Sequence, residues 1–565
     1  MRTFLLWLAI PLMVLGSLTL AYGAYDMASE AWDGIVDYQT PYLASDLPAS
    51  YAGPPVAESV ILIIVDGLRE DASREMSSLE SLRDYGASLI LTAPQPSLSY
   101  PNWTTVLTGT RQDVHGVVTN WHEGRIRAET LLDTAYQAKI PYVVVGPSDI
   151  ATLYPAARQA TGSFFLDWSE EYLSGRYIDE TLRLIREKKP RFVLLHLPDV
   201  DEVGHSFGGG SPEYAQMVGR VDTDLRRLVE QTQGTGAAFV VVADHGHIDT
   251  GGHGGWEPEV VSVPGVIAGE GVRVLEGEAR LEDIAPTVAV MAGFPSPRNA
   301  TGQTLDSALA TSSAAGVLAS QAQRNAAARA YAEVIAGPAG VAYDRQLPPT
   351  ATAEVTTQYL QDVSDARLAA DRAGRLSGQG VQLAIASVLT LLFVLVASWR
   401  AFVAAICGSA AYYAVYNILF FVVHGNRWSL SSFNSEDLIE AWMNTRLIEA
   451  AIAGLVAAVV AAAVYPLLRR HPKQPSGRYL PGWLVLGPLA VVVTQLTLAL
   501  QVAWFLWAWG LEPTWRLPDL MWGFKCDLDL VQITALGAAV LLSPALTYVV
   551  GRYHPLVRVH SSKEA

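Results

Sequence analysis

Cysteine is nearly missing from this sequence. Its 565 residues hold two, Cys407 inside an apolar run and Cys526 just before another. Two isolated thiols exclude a disulfide framework and a thiolate zinc site. Charge is scarce as well, at 17% of residues, and its positive part is the smaller. Thirty-nine Lys and Arg face 55 Asp and Glu, for a formal net charge of −16. That balance excludes a nucleic-acid-binding surface, which needs a basic face. It does not gather anionic substrates either, so a phosphate has to be drawn by something local, such as bound cations.

What the chain has instead is apolar length. Half of its residues are hydrophobic and its mean hydropathy is +0.23. A soluble part joined to membrane segments accounts for both. The length suits two or three domains. Residues 1–24 place one Arg before an apolar stretch long enough to cross a bilayer. They read as a retained anchor rather than a cleaved signal peptide, although small residues follow near Ala24.

Between 55 and 300 short β-branched runs alternate with amphipathic stretches. SVILIIV, PYVVVG, RFVLLHL, AAFVVVA and VPGVIAG read as buried strands, and PEYAQMVGRVDTDLRRLVEQTQ as a helix. The alternation predicts an α/β domain with a mostly parallel sheet and helices on both faces. Ligands of such sheets gather beyond the carboxyl ends of the strands. Residues 301–379 read as a helical, polar connector.

Residues 380–565 read as an all-α transmembrane domain of about five spans, near 381–398, 401–423, 446–467, 483–508 and 529–550. Arg400, Arg469, Arg470, Lys473, Arg478, Arg552, Arg558 and Lys563 fall on one side of these spans. Glu436, Asp437, Glu440, Glu512, Asp519 and Asp527 fall on the other. The asymmetry predicts cytoplasmic termini and an extracytoplasmic 55–300 domain, with Trp504, Trp507, Trp509 and Trp515 at the outer interface. Glu449, Gln495 and Gln501 lie within spans, where they serve either function or helix-to-helix hydrogen bonding.

Metal-ligand residue types cluster where predicted strands end. VDGLR presents Asp66, PDVDEVGHSFGG presents Asp201 and His205, and ADHGHIDTGGHGG presents Asp244, His245 and His253. Three carboxylates and three imidazoles suit two zinc or similar divalent ions with open positions. Ser99 stands just before a helical run in SLSYPNWTTVLTGT. A hydroxyl beside a metal is activated as a nucleophile, and a helix N-terminus favours an alkoxide and a bound phosphate. Asp199 is the alternative to Asp201. His247 and Asp249 read as loop residues and His115 as a support for its turn. The Asn102-Trp103-Thr104 sequon reads as accidental.

These segments resemble the alkaline phosphatase superfamily, most closely its type I phosphodiesterase/nucleotide pyrophosphatase branch. The resemblance rests on Ser99-Tyr100-Pro101-Asn102, on LTGTRQDVHGV, on Asp201-Glu202-Val203-Gly204-His205 and on Asp244-His245-Gly246, in the family's order. It implies an alkaline phosphatase-like fold. It implies one metal on Asp201, His205 and His253, and a second on Asp66, Asp244, His245 and the Ser99 oxygen. It also implies that Asn102 donates to a phosphoryl oxygen. The DHG and HGG stretches are similar to those of glycosylphosphatidylinositol ethanolamine-phosphate transferases.

The expected function is therefore metal-dependent phosphoryl transfer through a covalent phosphoserine, using Zn or Mn. Phosphodiester hydrolysis leads, and a membrane phosphoethanolamine-type headgroup transferase is the alternative. A sulfatase is disfavoured, because Trp103 stands where that branch needs Arg. A transporter or scaffold with an inactive ectodomain would have lost ligands that are all present here. The expected partners are the membrane and a phosphate-ester substrate, lipid-borne because the spans exceed what anchoring requires.

Overall fold

The computed structural model describes residues 2–42, 47, 52–168, 172–310, 313–337, 346–396, 399–435, 438–468 and 480–553. Side chains are described apart from those of 2–7, 376–396 and 480–482. Its centre is an eight-stranded sheet. The strands are β1 (Ser59–Val65), β2 (Ala87–Thr92), β3 (Tyr142–Pro147), β4 (Gly162–Leu166), β5 (Phe192–Leu197), β6 (Ala237–Val242), β7 (Ser262–Gly269) and β8 (Leu275–Arg280). They run in the order β4-β3-β5-β1-β6-β7-β2-β8. β7 lies antiparallel to both of its neighbours and the other pairings are parallel. β3, β5 and β6 are buried throughout and β1 from its second residue on, as continuous apolar runs between two helical layers require.

Three strands have no such run. β8 reads LEGEAR, β4 is half-exposed, and β2 turns Ile90 outward at 38% exposure. Edge position explains β4 and β8. The antiparallel β7 is the one departure from parallel pairing in a sheet that is mostly parallel, as the alternation predicted.

Two long helices, Ala314–Ala336 and the start of Ala353–Val396, fill the connector. Arg324 clamps them to the catalytic-type domain. Its Nε donates to the Thr301 carbonyl (2.7 Å), its Nη1 to Ala353 O (2.9 Å) and its Nη2 to Thr357 Oγ1 (2.8 Å).

Among the described residues five helices are long and apolar enough to span a bilayer. They are Leu8–Val36, Trp399–Val423, Ile439–Leu467, Trp483–Ala508 and Leu520–Tyr553. The Ala353–Val396 helix enters the expected span 381–398 and is described as far as Val396; the side chains of 376–396 lie outside the described residues. So do Glu436, Asp437, Arg469, Arg470, Lys473, Arg478, Arg558 and Lys563. Small residues let these helices touch. Ala450, Ala453, Ala457 and Ala461 are fully buried, and a Cβ on Gly408 would meet the Ala457 carbonyl at 2.5 Å. Gln495 donates across helices to Ser17 O (3.3 Å) and Ile533 O (3.0 Å). The first helix does not stop near residue 24. It runs from Arg2 to Val36, and its last turns stand beside the catalytic-type domain, where Trp32 packs edge-on to Trp121.

Candidate active site

β5, β1 and β6 are neighbours, and each ends in an acidic segment on the same edge of the sheet. Asp66 follows β1, Asp201 lies in the Asp199–Phe207 helix after β5, and Asp244 follows β6. Gly67 makes their approach possible. Its φ is 71°, and a Cβ there would lie 2.7 Å from the Asp201 Cα.

Asp201 and His205, one helical turn apart, put Oδ2 and Nε2 3.5 Å from each other. The His253 Nε2 sits 3.1 Å from the His205 Nε2 and 3.8 Å from Asp201 Oδ1. A second group surrounds the His245 Nε2, with Asp66 Oδ1 at 3.3 Å, Asp244 Oδ2 at 3.4 Å and Ser99 Oγ at 3.3 Å. Each group keeps its ligand atoms within 4.8 Å of one another. The same holds for Asp201, His245 and His247. The structure thus brings all six acidic and imidazole candidates, and Ser99, into one buried cluster.

The site's polar atoms fit divalent cations. Both carboxylate oxygens of Asp66 are buried without a hydrogen-bond donor. The His253 Nδ1 lies 3.0 Å from the Ser97 carbonyl and the His245 Nδ1 3.2 Å from the Gly246 carbonyl. Each ring then donates from Nδ1 and turns the Nε2 lone pair into the cluster, as a metal ligand must. Burial, and then the charges of Asp244 and Asp201, push the Asp66 carboxyl well above its usual range. Burial also raises Asp244, against the opposing pull of His245. Burial would raise Asp201 too, but His205 and then His247 hold it well below. Burial, then His245, drives the His253 imidazole well below its usual value. An apolar pocket crowded with carboxylates resists their joint ionisation, and a cation removes that conflict.

Ser99 opens the Ser99–Thr108 helix, with Leu98 extended before it and the left-handed Gly109 after it. Asn102 is placed differently from the expectation. Its Nδ2 donates to Asp244 O (2.8 Å) and lies 3.3 Å from Ser97 Oγ, while its Oδ1 accepts from Gln112 Nε2 (2.8 Å). Both ends of the amide are committed to the protein, so Asn102 ties the Ser99 helix to the end of β6. Asn120 lies on the open side instead. Its Oδ1 accepts from the Tyr100 amide (3.0 Å), which leaves its NH2 group to donate. Asp199 is turned away from the cluster, accepting from the Leu173 and Ser174 amides at 2.8 and 2.7 Å. Asp249 pairs with Arg69 at 2.7 Å.

Sequence reasoning missed three residues here. The His247 Nε2 lies 2.7 Å from Asp201 Oδ1 and fixes that carboxylate. The His196 Nε2 lies 3.0 Å from Asp66 Oδ2, and burial pushes its pKa down to about 3. The Trp103 Nε1 donates to Asp244 Oδ2 (2.9 Å). A polar residue inside the apolar run RFVLLHL was the available signal for His196.

Residues 60–139 and 132–257 match the sequence model of the family described as Type I phosphodiesterase / nucleotide pyrophosphatase. The 60–257 segment is therefore similar to a phosphodiesterase domain of that family. Curated relatives are similar over a comparable stretch. The human GPI ethanolamine phosphate transferase 2 catalytic subunit is 24% identical over 277 residues, covering 45% of this chain and 28% of its own length. The mouse GPI ethanolamine phosphate transferase 1 is 25% identical over 304 residues, covering 44% and 32%. The chain thus spans about a third of the length of these relatives. Among solved structures, murine ectonucleotide pyrophosphatase / phosphodiesterase 5 is similar with 13% identity and a TM-score of 0.37, over 42% of this chain and 96% of that one.

The phosphodiesterase-like domain opens onto a cavity of about 620 Å³. One end is formed by Ser99, Asn120, His205 and His253. The walls come from Ala28, Ala31 and Trp32 of the first helix, from Leu430 and Phe433, and from Met443, Phe505, Phe524 and Leu528 of the membrane helices. Side chains of the candidate site and of the long apolar helices therefore share one space.

Proposed function

We propose that this chain transfers the phospho-headgroup of a membrane lipid to a hydroxyl acceptor through a covalent intermediate on Ser99. The observation that carries this reading is the shared cavity. An apolar space joining Ser99 to membrane helices suits a headgroup whose acyl chains stay in the bilayer. The relatives' names supply the headgroup class, phosphoethanolamine.

In this reading the Ser99 Oγ attacks phosphorus. The bond from phosphorus to the glycerol oxygen breaks and diacylglycerol leaves with a proton. In the second half, an acceptor hydroxyl attacks the phosphoserine and returns the oxygen and a proton to Ser99. Asp201, His205 and His253 would hold one divalent ion, and Asp66, Asp244 and His245 another. Zinc or manganese bound there would lower the pKa of the Ser99 hydroxyl and offset charge on the transferred group. The Ser99 helix turns its positive end toward the phosphoryl group, and the Asn120 NH2 donates to one of its oxygens. Asn102 holds the helix in register.

The catalytic-type domain, 55–300, would stand outside the cytoplasm with both termini inside. The 424–435 and 509–519 loops, on its side of the membrane domain, would then face outward. Hydrolysis of a soluble phosphodiester is the second reading, favoured by the family match over 60–257.

The test uses full-length protein with zinc. Phosphatidylethanolamine vesicles, a nitrophenyl diester, a nitrophenyl monoester and a nucleotide are offered in turn, with and without a glycolipid hydroxyl acceptor. Transfer predicts diacylglycerol release, a phosphoethanolamine adduct on Ser99 and turnover that rises with acceptor. Turnover of soluble diesters alone, indifferent to acceptor, would select hydrolysis.

A further inference from the structure

The glycine-rich stretch that carries His253 is not held by its own domain alone. The membrane domain lays a loop, Arg427 to Asn434, directly on it. Ser429 Oγ and Ser431 Oγ both donate to Glu257 Oε2, each at 2.9 Å. The Gly255 amide donates to Ser431 Oγ (3.1 Å). Asn434 Nδ2 donates to the carbonyl of His205 (3.1 Å). Glu257 is fully buried, and both serines are 1% exposed.

The contact is too close for side chains. A Cβ on Gly255 would lie 1.8 Å from Ser429 Oγ, and one on Gly252 would lie 2.2 Å from Ser431 O. The HGG pattern thus has a physical reason: glycine lets the membrane loop reach the backbone on either side of His253. The asymmetry between the two metal groups follows. Asp66, Asp244 and His245 follow the ends of adjacent strands and need nothing from the membrane domain. The His205 carbonyl, and the Gly255 amide and Glu257 carboxylate just after His253, are held by groups more than 170 residues away in sequence.

We propose that the 427–434 loop is a structural part of the Asp201–His205–His253 site and sets its affinity for a metal ion. The proposal rests on the reading that this cluster holds two ions. Ser429, Ser431 and Asn434 are positioning residues, acting through Glu257 and the His205 carbonyl. Removing both hydroxyls leaves a buried carboxylate with neither donor, which loosens the turn that aims His253. Outer groups that orient metal ligands typically change affinity 10–100-fold. Since the same segment supplies Leu430 and Phe433 to the cavity wall, it links the membrane side of the site to its metal side.

The experiment uses full-length, detergent-purified protein titrated with Zn²⁺ against a chromophoric chelator, and with Co²⁺ for its visible bands. Wild-type protein should bind two equivalents; fewer would overturn the two-ion reading and the proposal that rests on it. The Ser429→Ala/Ser431→Ala variant should keep one equivalent at wild-type affinity and weaken the other 10–100-fold. Its cobalt bands should change for that one site, and activity lost at limiting zinc should return at high zinc. Asn434→Gly, which retains the left-handed backbone (φ 60°), should weaken the same equivalent and serves where the double variant fails to fold. Two equivalents of unchanged affinity in a folded variant would overturn the proposal.

Discussion

Replacing Trp103 by Phe tests the site through a single hydrogen bond. Trp103 is fully buried, and its Nε1 donates to Asp244 Oδ2 at 2.9 Å. Phe keeps an aromatic ring against His196, whose ring centroid is 4.4 Å away, but has no donor. The other Asp244 oxygen keeps only the Gly67 amide, at 3.2 Å. A hydrogen bond to a charged acceptor is worth about 1.5–3 kcal/mol. Loss of an orienting partner commonly costs 10–100-fold in metal affinity, or about 1.4–2.8 kcal/mol. The two ranges agree, so the ion held by Asp66, Asp244 and His245 should bind 10–100-fold more weakly. The smaller ring should also lower stability by on the order of 1 kcal/mol. Chelator competition reads the affinity, and kcat/KM on a nitrophenyl diester at limiting and saturating zinc reads its consequence. Most activity should return at saturating zinc. Unchanged affinity at both equivalents would refute the link between Trp103 and the metal site.

Ser99→Ala should abolish turnover by at least about 10³-fold while both metal equivalents and the melting temperature stay near wild type, as mass spectrometry and calorimetry would show. His253→Ala should lose one equivalent and keep the other; metal counting decides. Met443→Trp narrows the membrane wall of the cavity, and should depress turnover of vesicle lipid far more than of a nitrophenyl diester. Burial, then His122, pushes the His115 pKa down to about 3. A folded pKa below the unfolded 6.5 means that its stabilisation is present above pH 6.5 and lost as pH falls toward 3. That loss is about 1.4 kcal/mol per pH unit. His115→Gln should therefore flatten the acid side of the stability curve, measured by urea melts between pH 7 and 4.

The readable parts of the sequence were those where chemistry and burial coincide. β1, β3, β5, β6 and β7 are apolar runs because both faces are covered, and Asp66, Asp201 and Asp244 stand out as charges at or just beyond their ends. β8 was hidden because an edge strand needs few apolar residues, and LEGEAR has almost none. The antiparallel placement of β7 was hidden because a buried strand reads the same in either direction. His247 looked like a loop residue because its partner, Asp201, lies 46 positions away. Ser429, Ser431 and Asn434 carry no signature at all. They matter through contacts with Glu257 and His205 that only the folded chain creates. Asn102 shows the reverse case, a motif residue whose amide is spent on the scaffold.

The first helix also puts a clock into the making of this protein. It lines the cavity with Ala28, Ala31 and Trp32, and it leans on the last helix, where Thr534 Oγ1 donates to Ala21 O across 513 residues of chain. Gly537 faces the same Ala21, at a distance that a Cβ would close to 2.5 Å. At roughly 5–20 residues per second, translation needs on the order of a minute to pass from one partner to the other. The Leu8–Val36 helix must wait for the Leu520–Tyr553 helix before the cavity has its wall. A nascent chain can complete the eight-stranded sheet, whose last strand ends at Arg280, and still lack that wall. Closure of the cavity thus waits on the Leu520–Tyr553 helix.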